Sequence, residues 1–199
     1  MRLFIALELS PALRDAIVQQ TATLRSALGP GLLRWVRPEN LHLTLKFLGE
    51  VTPKLADPLL QLLHEAAEHC PPFEATAGGL GCFPNERQPR VVWIGLQVPE
   101  DLISLWKDIE VGTARLGFPP EERAFSPHLT IARVQPRASQ ADLRSVGAAV
   151  QQRSLGRVGS CRIEAIHLLR SDLQPGGPIY TAMGSAGLTG AAALQRGAF

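Results

Sequence analysis

Two tetrapeptides in this chain of 199 residues are nearly the same: His42-Leu43-Thr44-Leu45 and His128-Leu129-Thr130-Ile131, 86 residues apart. In an extended strand, side chains two positions apart share a face, and their neighbours take the other. Each histidine therefore projects with its threonine. Leu43 with Leu45, and Leu129 with Ile131, turn to the opposite, packed face. Two such strands set against each other bring two imidazoles and two hydroxyls onto one small group. That set suits phosphoester opening by in-line displacement. One neutral imidazole takes a proton from the attacking water, and the opposite imidazolium gives one to the departing oxygen. Histidine serves both roles because its ordinary pKa of about 6.5 leaves both forms accessible near neutrality. Each acid or base contributes about 10²–10⁴-fold. Threonine hydroxyls hold nonbridging oxygens without adding charge.

A single His-x-Thr is a common accident of strands. Two copies in matched surroundings are not. Each follows a proline-containing turn, Pro38-Glu39-Asn40 in one case and Ser126-Pro127 in the other, so the chain reads as two related halves. The transition state also asks for a cation. Arg133 follows His128 by five residues, on the wrong parity of a regular strand. A twist, bulge or strand end is needed to turn it toward the histidines.

The elements that must position these residues follow from periodicity. Residues 2–9 read as a buried strand. Ser10-Pro11 caps a helix whose face carries Leu13, Ile17, Leu24 and Leu28, and Gly29-Pro30-Gly31 ends it. Trp35-Val36 and residues 41–48 read as strands, and 53–69 as a helix. Residues 73–80 and 91–98 read as strands around a polar loop at 81–90, followed by a helix over 100–116. Residues 127–134 form a strand, and Ser139 opens a helix to 152 with Asp142 in the capping-box position. A long strand over 157–170 and a last one over 178–183 complete the pattern. Several strand pairs lack a helix long enough for a parallel crossover, so the class is α+β with mainly antiparallel sheets.

Composition narrows the class of function. Hydrophobic residues are 45% of the chain, enough for one substantial core or two small lobes. Twenty basic residues against 18 acidic leave a net charge of +2 with no basic block. That speaks against wrapping of long duplexes and for local contact with one phosphate. Cys70, Cys82 and Cys161 have no zinc spacing and read as buried thiols of a reducing cytosol. The apolar N-terminal run is broken at Glu8, too early for a signal or a membrane span, so a cytoplasmic protein is expected.

The motifs resemble those of the 2H phosphoesterase superfamily. The branch they resemble is that of the RNA 2′,3′-cyclic phosphodiesterases, also called 2′-5′ RNA ligases. Besides the two His-x-Thr sequences, residues 2–7, 38–50, 92–96, 127–133 and 177–180 carry the likeness, in order over residues 1–183. The resemblance implies two pseudo-symmetric lobes in one domain, 1–183, each a mainly antiparallel sheet with helices outside and a catalytic cleft between the sheets. It implies hydrolysis of RNA or nucleotide 2′,3′-cyclic phosphates to 2′-phosphates, with no metal and no cofactor. It makes His42 the proton donor and His128 the proton acceptor, and has Thr44, Thr130 and Arg133 bind phosphate. Ligation to a 2′-5′ linkage at the same site, or RNA-end binding with little turnover, are the alternatives. No obligatory protein partner and no membrane contact are implied.

The Gly-, Ala- and Ser-rich stretch 184–199 reads as a flexible tail. His64 and His69 are five apart, which is not the spacing of a helical metal pair, and His167 reads as an ordinary strand residue. Trp35 and Phe47 are assigned to core packing, while Phe83 in its loop is left open as a base-stacking candidate. Arg87 and Arg90 of that loop are either phosphate contacts or solvated. Gly78-Gly79-Leu80-Gly81 lacks the lysine of a phosphate-cradling loop, so no ATP requirement is expected.

Overall fold

The structure is a computed structural model in which residues 1–191 are described. Their elements run β1 (Arg2–Glu8), α1 (Pro11–Leu28), β2 (Leu33–Trp35), β3 (His42–Glu50), α2 (Ala56–Ala67), β4 (Phe73–Phe83), β5 (Val91–Gln97), α3 (Glu100–Arg115), β6 (His128–Val134), α4 (Gln140–Gln151), β7 (Arg157–Ile163), β8 (Ala165–Gln174) and β9 (Gly177–Gly187). Single 3-10 turns at Pro38–Asn40 and Pro53–Leu55 lead into β3 and α2.

The strands pair antiparallel in the order β7-β4-β5-β6-β3-β1-β8-β9, with β2 added to β6. At the centre, β3 and β6 meet at a single pair, Leu43 opposite Leu129. That junction divides the curled sheet into two lobes. β3, β1, β8 and β9 are backed by α2 and α3, and β6, β5, β4 and β7 by α1 and α4. Leu43 and Leu129 are 2% and 0% exposed. Burying a leucine is worth about 1.5–3 kcal/mol, and a one-residue slip would turn both outward and both histidines in. The hydrophobic pattern therefore fixes which face carries the histidines.

Local signals act as their chemistry requires. Ser10 accepts a hydrogen bond from the Leu13 amide at 3.3 Å, and α1 ends at Gly29 with φ of 66°. The Ser139/Asp142 pair closes a reciprocal capping box at the start of α4. Several boundaries differ from the sequence reading, and β4 runs to Phe83, so residues 81–83 belong to the strand and not to the expected polar loop 81–90. The expected long strand 157–170 is two strands in different lobes, separated at Glu164. The buried residues change parity there, from Cys161 and Ile163 to Ile166 and Leu168. The first turn of the expected helix 53–69 is 3-10, because Pro53 and Pro58 constrain it at both ends. β9 runs to Gly187, and Ala186 and Leu188 are buried, so the ordered chain passes the expected boundary at 183. The rest of the expected tail, 192–199, lies outside the described residues.

Candidate active site

Each histidine strand carries a bulge at the same place. On β3, Ala6 pairs with Thr44 and Ile5 with Lys46, so Leu45 is the extra residue. On β6, Trp93 pairs with Thr130 and Val92 with Ala132, so Ile131 is the extra residue. Leu45 and Lys46 are both buried, as are Ile131 and Ala132. The bulge inverts parity beyond it. As a result, the residue five after each histidine returns to the histidine face: Phe47 in one lobe, Arg133 in the other. This is the distortion the sequence required for Arg133. Phe47, assigned to the core from sequence, is 67% exposed on that face. The same bulge sent Lys46 inward in its place.

Carrying the Leu43–Leu129 register one residue either way sets His42 opposite Thr130 and Thr44 opposite His128. The two histidines are then diagonal neighbours on one face, with Cβ atoms about 7–8 Å apart in a regular ladder.

Both rings are held alike. His42 Nδ1 donates to the Asn40 carbonyl at 2.7 Å, and His128 Nδ1 donates to the Ser126 carbonyl at 2.6 Å. A carbonyl only accepts, so each Nδ1 bears the proton and each Nε2 is left for the cleft. Thr44 Oγ1 lies 3.0 Å from His42 Nε2. The Asn40 side chain donates to the Pro178 carbonyl at 2.9 Å, and Arg37 to the same oxygen at 2.7 Å. These bonds tie the turn before His42 to the β8–β9 hairpin.

Aromatic walls complete the positioning. The His42 ring lies 5.0 Å from Phe4 and 5.3 Å from Tyr180, the latter edge-on. The His128 ring meets Phe83 at 4.8 Å and Trp93 at 6.4 Å. Any side chain at Gly81 would collide with the Trp93 ring, its Cβ falling 2.2 Å from Cζ2, so glycine there lets the indole lie across β4. Burial pushes the His42 pKa below its ordinary value. The Asn40 carbonyl and Glu8 pull it up, and Arg14 and Arg133 push it down. Glu8 stands directly opposite His42 on β1. Gly95 occupies the corresponding place opposite His128.

The structure thus brings together His42, His128, Thr44, Thr130 and Arg133 on one face. Phe83 joins them as a wall of the His128 ring. Sequence reasoning gave no role to Tyr180, Phe4, Trp93 or Glu8, although Phe4, Trp93 and Tyr180 stood inside the quoted motifs. His167 pairs with Ala6 and shares the cleft-facing side of β1 and β8. Trp35 is partly buried, with the Arg25 guanidinium over its ring. His69 Nδ1 lies 3.5 Å from Asp108 on the surface, and Arg87 and Arg90 are exposed.

Fold and site together define a duplicated α+β scaffold that opposes two His-x-Thr strands. The profile of the LigT-like phosphoesterases matches this chain twice, over residues 7–93 and 94–180. The chain belongs to the LigT-like phosphoesterase family, of the 2H superfamily. Among its relatives, the RNA 2′,3′-cyclic phosphodiesterase of Methanothermobacter thermautotrophicus is 37% identical over 183 residues, covering 92% of this chain and 96% of that one. The enzyme of the same name from Archaeoglobus fulgidus is 33% identical, covering 90% and 96%. In crystal structures, a Thermus thermophilus protein superposes with a TM-score of 0.78 at 32% identity, covering 94% of this chain and 98% of that one. Escherichia coli LigT complexed with 3′-AMP gives 0.75 at 29%, with the same coverage.

Proposed function

We propose that this protein hydrolyses RNA 2′,3′-cyclic phosphate ends to 2′-phosphates, with His42 as general acid and His128 as general base. The observation that carries the reading is the paired tethering of the rings. Both Nδ1 atoms are spent on the carbonyl two residues back, which leaves both Nε2 atoms for the substrate on the face that the Leu43–Leu129 register gives both histidines. Water attacks phosphorus as His128 Nε2 takes its proton. The P–O3′ bond breaks as His42 Nε2–H protonates the leaving ribose oxygen. The 2′ ester bond stays intact. Thr44 and Thr130 hold nonbridging oxygens, and Arg133 balances the growing negative charge. The carboxylate of Glu8, directly opposite His42, offsets part of the burial that disfavours the imidazolium there, whereas Gly95 stands opposite His128. Phe47, exposed beyond Thr44, offers a face for the terminal base.

RNA as the substrate puts the site of action in the cytoplasm. Among the described residues no helix is long and apolar enough to cross a membrane. The names of the relatives support the substrate class.

The test incubates the purified protein, in EDTA, with an oligonucleotide ending in a 2′,3′-cyclic phosphate. The expected product has gained one water and carries a 2′-phosphate. His42→Ala and His128→Ala each lower kcat/KM by at least about 10²-fold. A 3′-phosphate product, or an oligonucleotide returned unchanged, rules the reading out. A 2′-5′ joined product with an added 5′-hydroxyl strand would make ligation the better description.

A further inference from the structure

Three arginines, Arg2, Arg34 and Arg133, project to the histidine face from β1, β2 and β6. Arg34 on β2 stands directly opposite Arg133 on β6, so both project to the histidine face. Arg2 shares its side of β1 with Phe4, which packs on His42 and Tyr180. Tyr180 stands on the same face, its ring edge-on to Phe4 at 4.9 Å and to His42 at 5.3 Å. Burial raises its pKa, while Arg133, Arg2 and Arg34 all act on it to lower that pKa. Arg2, Arg34 and Arg133 are exposed, and none forms an ion pair among the described residues. Glu50, which faces Arg2 across the ladder, lies instead 3.4 Å from the N-terminal ammonium of Met1.

Like charges placed directly opposite on one sheet face repel. Such an arrangement is expected where an anion binds. A cyclic phosphodiester carries one negative charge, which Arg133 and a protonated His42 already meet. Arg2 and Arg34 are therefore in excess for the reacting group alone.

We propose that Arg2, Arg34 and the Tyr180 hydroxyl form a second anion subsite beside the reacting phosphate, which holds the phosphodiester on the 5′ side of the terminal nucleotide. The proposal rests on the reading of the site as an RNA-end phosphodiesterase. It makes the enzyme an oligonucleotide enzyme by preference, and makes that preference electrostatic.

The experiment compares kcat/KM for a nucleoside 2′,3′-cyclic phosphate, which lacks this phosphodiester, with that for a dinucleotide bearing the same cyclic end. The wild-type ratio favours the dinucleotide. Arg34→Gln and Arg2→Gln each reduce that ratio by roughly tenfold, the size expected for one charge-assisted hydrogen bond. Replacing the dinucleotide's internal phosphodiester with a neutral methylphosphonate lowers the ratio similarly in the wild-type protein. It lowers it little further in Arg34→Gln. This last comparison needs no protein variant for its first arm, so a folding defect cannot imitate it. If the wild-type protein turns over both substrates but shows no preference, or if the methylphosphonate costs nothing, the subsite is refuted and the phosphodiesterase reading stands. Equal losses on both substrates assign the two arginines to the reacting phosphate and likewise refute it. Turnover of neither substrate refutes the phosphodiesterase reading and this subsite with it.

Discussion

Glu8 marks one difference between the two histidines, since it stands opposite His42 where His128 has Gly95. kcat/KM follows the protonation states of the free enzyme. The proposed acid, His42, must hold its proton, so kcat/KM is expected to fall as pH rises through its pKa. Burial sets that pKa below the ordinary imidazole value, and Glu8 raises it part of the way back. Glu8→Gln therefore lowers it further, and the alkaline limb of the kcat/KM profile moves to more acid pH. Arg14 acts with the opposite sign, so Arg14→Gln moves the same limb upward. If the acid limb moves down in Glu8→Gln instead and the alkaline limb stays, His42 is the base and not the acid. Phe47 makes a second case at this scale. It is 67% exposed, so Phe47→Ala leaves stability nearly unchanged. Loss of a stacked base, worth about 1–3 kcal/mol, raises KM for cyclic-ended RNA by roughly 5- to 150-fold. The His/Thr pairs were legible in the sequence because a period of two needs no knowledge of partners. Arg133 was legible as a residue but not as a direction, since parity depends on a bulge that only the neighbouring strand defines. Phe47 was misassigned for the same reason.

At the level of elements, the bulge that frees Phe47 carries a cost at Lys46. It drives that ammonium to the helix side of the sheet, where Nζ lies 2.6 Å from Glu110 Oε2 of α3 and donates to the Pro119 carbonyl at 2.7 Å. The Glu121 amide donates to the same carboxylate at 2.9 Å. The pair is 5% and 9% exposed. It joins β3, which carries His42, to α3 and to the start of the loop that leads to His128. Lys46→Met leaves Glu110 buried without its counter-charge and lowers the unfolding free energy in urea by about 3–5 kcal/mol. Lys46→Met with Glu110→Leu recovers most of that loss, because no charge is then stranded. If the double variant is as unstable as the single, the pair is not what holds this junction. Sequence periodicity located nearly every element but not this connection, since an isolated lysine in an apolar strand resembles an outward-facing one. The division at Glu164 was missed on different grounds. Arg157–Ile163 and Ala165–Gln174 are each good strands, and only the change of buried parity between them separates the two.

Over the whole molecule, the repeat in the sequence is not the lobe in space. The first match, residues 7–93, contains β3 and α2 of one lobe, but also α1, β4 and the start of β5, which build the other. The second match returns the exchange. It contributes α3 and most of the β8–β9 hairpin to the lobe that holds β1 and β3. Each sheet is thus completed by strands from both halves, and each is backed by one helix from either. One hydrophobic cluster runs through both lobes, from Ile5 and Leu59 to Ile94 and Leu129. Neither half retains a closed core when the other is removed. We expect thermal unfolding in a single transition with a calorimetric to van 't Hoff enthalpy ratio of about 1, despite the two-lobed shape. Residues 1–93 expressed alone should show no cooperative melt and no near-ultraviolet signature of packed aromatics. Two resolved transitions would mean that the lobes melt independently. The cleft would then be a joint between separate bodies, and the placement of His42 against His128 would vary with their relative motion. A single transition instead ties the diagonal of the two histidines to the stability of the entire fold. In that case core substitutions far from the cleft, such as Leu59→Ala, lower the melting temperature while leaving kcat of the folded fraction unchanged.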